Sequence, residues 1–151
     1  MRNVTLGIAF GAMALACLQA PSAIAEVLIT ESEAKLPAVP NVSITTRGLT
    51  RGPGIEQLSP KPDQGVNSPL QFKIKFETRN NVAIDPASVR LIYLKANPID
   101  LTERIKKHIT PSGIEMDKAE APPGTHMLRL DLKDNQGRVG TAIIKLTVMG
   151  K

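Results

Sequence analysis

The chain has 151 residues, with 19 Lys and Arg against 14 Asp and Glu, a formal charge of +5 and one cysteine. That length suits one domain able to bury a core without covalent staples. Aromatic residues make up 3% of the chain, too few for the stacking platforms on which nucleic acids are held. The lone Cys17 excludes a disulfide framework within the chain or a zinc site built on several thiolates.

Met1-Arg2-Asn3 sets a positive charge ahead of an apolar run, Val4 to Leu18, and Ala23-Ile24-Ala25 precedes Glu26. A basic start, an apolar stretch and a small-x-small exit are the marks of a secretory signal peptide. The run falls short of the about 20 apolar residues that a bilayer span needs. We therefore expect a leader over 1–25, no transmembrane span, and a mature chain that is periplasmic or secreted. Ala14-Leu15-Ala16-Cys17 resembles a bacterial lipoprotein cleavage box, with Ala14 where that pattern favours Leu. Anchoring through Cys17 is the alternative exit.

Residues 26–40 read as a lead-in segment. Thr30 and Glu33 have the spacing of a capping box, which predicts a helical turn stopped by Pro37 and Pro40. The segment either packs on the domain or hangs from it as a tether.

The domain proper, 41–151, opens with a β-branched strand, Val42 to Thr46. A loop rich in Gly and Pro follows to Gly54, then a brief strand, Ile55 to Leu58. Leu70 to Glu77 alternates strictly, with Leu70, Phe72, Ile74 and Phe76 on one face and Gln71, Lys73, Lys75 and Glu77 on the other. Asp85-Pro86 punctuates before a strand over Ser88 to Lys95, apolar on both faces and therefore central. Asp100 with Glu103, and Leu101, Ile105 and Ile109 at four-residue spacing, predict a short helix closed by Pro111-Ser112-Gly113. Ile114 to Met116 adds a short strand. A hairpin ends the chain, its arms carrying Leu128, Leu130 and Leu132, and Ala142, Ile144, Leu146 and Val148. Asp134-Asn135-Gln136-Gly137 forms the turn, with Gly137 left-handed. Short strands that each bury one face, with Gly and Pro between them, predict an all-β fold. It is an antiparallel sandwich of about seven strands with one short helix, with a small barrel as the other closure.

Ser59-Pro60, Ser68-Pro69-Leu70, Ile84-Asp85-Pro86-Ala87-Ser88-Val89, Pro122-Pro123-Gly124-Thr125-His126 and Asp134-x-x-Gly137-Arg138 follow one another in this order. The order resembles immunoglobulin-like domains of exported bacterial proteins, over about Gly54 to Val148. The resemblance implies an adhesive, spacer or carrier module. The buried Trp and Cys pair of antibody domains are absent from the sequence. A weaker resemblance is to the periplasmic copper-resistance carriers, which implies copper held by His108, His126, Met116 and Met127, since imidazole and thioether suit that metal. Those carriers usually present a histidine at the mature N-terminus, where this chain has Glu26.

The residues themselves point to plainer roles. His108, beside Lys106-Lys107, falls where a cation meets the free carbonyls of a helix end, and His126 falls at a strand edge. Ser, His and Asp occur in no nucleophile elbow or paired spacing, so the expectation is a non-enzyme without a cofactor. The reading is an interaction or accessory domain of the bacterial envelope. Contacts are expected at Arg47, Arg51, Lys106, Lys107 and His108, with an envelope protein or an anionic polymer as partner and no nucleic acid.

Overall fold

The computed structural model describes residues 24–40 and 51–150. The leader up to residue 23, Cys17, the Val42–Thr46 strand, Arg47 and the loop up to residue 50 lie outside the described residues.

Leu70–Glu77 shows how the core is made. Leu70, Phe72, Ile74 and Phe76 are buried, and Gln71 and Glu77 are exposed. In chain order the elements are β1 (Glu26–Val27), α1 (Glu31–Ala34), β2 (Gly54–Ser59), β3 (Gly65–Val66), β4 (Leu70–Glu77), β5 (Ile84–Tyr93), β6 (Ile99–Asp100) and α2 (Thr102–Ile105). A 3-10 turn (Lys106–His108), β7 (Ile109–Thr110), β8 (Gly113–Glu120), β9 (Gly124–Asp134) and β10 (Val139–Val148) complete them. One sheet runs β1-β8-β4-β2, with β7 also on β8; the other runs β3-β10-β9-β5-β6. Phe72, Ile74, Ile114 and Met116 from the first meet Leu91, Tyr93, Leu128, Leu130 and Leu146 from the second in a single core, which Leu28, just after β1, also joins. Each such side chain contributes about 1.5–3 kcal/mol on burial.

Pairing is mixed, which corrects the antiparallel expectation. β1 runs parallel to β8, through Glu26↔Ala119 and Val27↔Glu120, and β3 runs parallel to β10. A tight hairpin forces antiparallel pairing only on consecutive strands. Both β1 and β3 are two-residue edge strands that arrive from distant chain, so their direction is set by where the chain enters. Two four-residue helices, not one, accompany ten strands among the described residues.

Three further differences have local causes. β8 continues past Met116 to Glu120 because a bulge between Met116 and Ala119 shifts its buried face by one residue, hiding the alternation. β5 begins at Ile84 and carries Pro86 inside it, because the ladder is irregular between Asp85 and Arg90. There the Ser88 hydroxyl accepts from Lys133 N at 2.8 Å and donates to Asp85 O at 2.7 Å, standing in for the missing ladder. β5 also lies one strand in from the edge, beside the two-residue β6, so Ile92 on its outer face stays half-buried.

The hairpin forms as expected. Gly137 has φ +77, and buried Asp134 accepts from Gln136 N, Arg138 N and Arg138 Nε at 2.9, 3.0 and 2.7 Å. The open side of β10 is closed by chain from 51–59. A Cβ on Gly52 would sit 2.0 Å from Val139 O, so only glycine fits there. The Gln57 side chain satisfies Lys145 O at 2.8 Å and Lys145 N at 3.3 Å.

Candidate functional site

The lead-in is part of the body. Leu28 and Ile29 are fully buried beside the β1–β8 pair. The capping box is present: Glu33 N donates to Thr30 Oγ1 at 3.3 Å and Thr30 N to Glu33 Oε2 at 2.9 Å. Glu33 then takes a bidentate grip from Arg104 at 2.8 and 2.7 Å, and Arg104 also reaches Leu28 O at 2.9 Å. The guanidinium holds the Glu33 carboxyl down to about 2, with the Thr30 bonds adding to it against burial. From the other side buried Lys95 donates to Ala34 O at 2.8 Å and Leu36 O at 2.9 Å. These are carbonyls at the end of α1, and the ammonium also lies 5.0 Å from the centre of the Tyr93 ring.

His126 is buried on β9, the middle strand of its sheet, and not at an edge. Its Nε2 donates to Pro122 O at 2.8 Å, because a carbonyl can only accept; Nδ1 is thus left to accept from Tyr93 OH at 2.8 Å. Both ring nitrogens are therefore engaged. Burial, joined by the nearby Lys95 charge, lowers the pKa of His126, and burial pushes the Tyr93 hydroxyl up to about 12.

His108 meets a carboxylate and not the helix-end carbonyls. Its Nε2 lies 2.5 Å from Glu26 Oε2, while Lys107 pairs with Glu26 Oε1, and these two partners lower the Glu26 pKa. Lys106 turns aside to Glu103 at 3.2 Å. The expected basic cluster is thus divided between two glutamates. Arg51 is exposed, next to the buried Gly52-Pro53 that packs on β10. Asp100 does not cap α2 with Glu103 in return: it accepts from Thr102 N at 2.8 Å, and the helix starts after Leu101.

The copper set does not assemble. Met116 is a core residue on β8, and although it shares the wall of a recess of about 390 Å³ with His108, neither His126 nor Met127 lines that recess. Met127 projects from β9 on the opposite side to His126, as alternation requires. Among the described residues no three His, Cys, Asp or Glu side chains are placed to hold a metal ion. No described helix is long and apolar enough to cross a membrane.

A recess of about 590 Å³ lies where β1, the turn after β3, the β8–β9 turn and the end of β10 meet. Val27, Ile29, Val148 and Met149 supply its apolar wall and Glu31 and Glu120 its charge. Sequence reasoning missed it because its residues come from four separate segments. The one signal was a bulky apolar residue in each of two segments far apart in the chain, Val27 and Met149.

No family model matches the chain, and neither curated proteins nor solved structures gave a match.

Proposed function

We propose that the protein is an exported, non-catalytic interaction domain of the bacterial envelope, built as an immunoglobulin-like sandwich and acting in the periplasm or outside the cell. The observation that carries this reading is the commitment of both histidines and of Lys95, Arg104 and Lys107 to holding the fold. His126 bridges Tyr93 to Pro122, His108 and Lys107 clasp Glu26, and Arg104 and Lys95 bind the lead-in. Side chains so engaged hold a surface rigid, which suits recognition. The leader supports export, and it meets the fold at a telling place: Glu26, the expected first residue of the mature chain, is also the first residue of β1. Cleavage after Ala25 would leave every described strand intact.

The test expresses the full chain in a bacterial host, isolates the osmotic-shock and membrane fractions, and measures intact mass. A species beginning at Glu26 and released by shock is expected. Photo-cross-linking in the intact envelope should then give a defined adduct that re-forms with the purified partner. An unprocessed chain retained in the cytoplasm would overturn the export reading, and reproducible hydrolytic turnover by the pure protein would overturn the non-catalytic one.

A further inference from the structure

We propose that the recess between β1 and the end of β10 takes a lysine or arginine side chain, with its apolar neighbour, from an extended segment of the partner. This names the contact surface of the interaction domain and so rests on that reading. Three observations lead there.

The first is charge. The chain carries +5, yet none of the described residues lining this recess is Lys, Arg or His. Elsewhere most carboxylates are matched: Glu115 by Lys73, Glu56 and Glu77 by Lys75, Asp131 by Arg129, and Asp134 by Arg138, while Asp85 and Asp117 have neutral donors, Ala87 N and the Gln71 amide. Among the described residues Glu120 has no such ion pair, and Glu31 has only Lys35 at 3.9 Å, both side chains being about 80% exposed. A pair that open to water holds its partner weakly.

The second is apolar exposure. Val27 and Met149 are 46% and 48% exposed at the mouth of the recess. They offer a surface for the methylene stem of a long cation and for the residue beside it. The third is the backbone. Among the described residues β1 is the outermost strand of one sheet and β3, just before the recess, of the other. An outermost strand has main-chain groups on one side with no neighbouring strand, the setting in which an extended peptide adds its own bonds. Cation, apolar neighbour and extended backbone together describe a basic, alternating segment better than a free small amine.

The probe is a fluorescein-labelled, end-capped peptide of alternating lysine and valine, titrated by anisotropy against the protein as processed by the cell. Saturable binding is expected, weakened by added salt and about fivefold or more by the double variant Glu31→Gln/Glu120→Gln. Val27→Lys, which brings an ammonium to the recess, should weaken it as well. Glu103→Gln, an exposed carboxylate that does not line the recess, should leave it unchanged, and unfolding midpoints show whether each variant is folded. Absence of saturable binding, equal binding of the glutamate–valine peptide, equal loss in Glu103→Gln, or displacement by hexylamine at the peptide's own concentration would each overturn the proposal. The partner captured by cross-linking separates the two levels. If it still captures Glu31→Gln/Glu120→Gln at wild-type yield, this surface is wrong and the interaction domain stands. If no partner re-forms an adduct with the wild type, the domain reading itself fails.

Discussion

Replacing Glu33 by Gln should detach the lead-in from α2 with a defined dependence on pH. A carboxyl lowered from 4.5 to about 2 is worth at most about 3 kcal/mol between its charged and neutral forms. Arg104 and Glu33 keep 33% and 16% of their side-chain exposure, so water screens part of this. The glutamine still accepts from Thr30 N, and the expected loss is about 2 kcal/mol at pH 7. Because the folded value lies below the unfolded one, the stabilisation is present in full above about pH 4.5. It is lost as pH falls from there through about 2. Urea unfolding of wild type and Glu33→Gln at pH 7, 4 and 2 reads this directly. The gap between them should be widest at pH 7 and nearly closed at pH 2. A gap under about 0.5 kcal/mol at pH 7, or one of constant size down to pH 2, would refute the claim that an ionised Glu33–Arg104 pair fastens the N-terminal segment.

His126 is held neutral in the fold, so below its ordinary value of 6.5 the unfolded chain binds the extra proton and stability should fall with acid. Urea midpoints between pH 7 and 5 should show this decline in wild type and its loss in His126→Phe. Tyr93→Phe leaves a buried imidazole nitrogen without its donor and should cost about 1–3 kcal/mol in the same assay. Gly52→Ala puts a methyl 2.0 Å from Val139 O; thermal unfolding should show a loss of about 2 kcal/mol or more, with amide exchange rising along the outer side of β10. Phe72→Ala, on β4 and fully buried, should cost about 3–5 kcal/mol by denaturant titration.

Period-two alternation carried most of the fold. Over Leu70–Glu77 and the terminal hairpin each residue's face could be read one by one, because a strand with one dry side leaves no other register that buries its leucines. The capping box at Thr30 and the left-handed Gly137 were legible for the same reason: their partners lie within four residues. Legibility failed where a partner lay far along the chain. Nothing near Glu33 announces Arg104, nothing near Lys95 announces the carbonyls of Ala34 and Leu36, and His126 looked like an edge residue because its strand position depends on β5 and β10. The basic run Lys106-Lys107-His108 looked like a free patch until Glu26 was brought against it.

The amino-acid order by itself determined the strand Leu70–Glu77 and the two arms of the terminal hairpin, which side of each is dry, and where the hairpin turns, since these follow from local sterics and the solvation of neighbouring side chains. The direction of β1 and β3, the burial of the lead-in and the recess lined by Glu31 and Glu120 were decided only by tertiary structure. Each requires segments far apart in the chain to meet, and loop closure between distant segments is settled by the shape of the whole core, which no window of sequence contains.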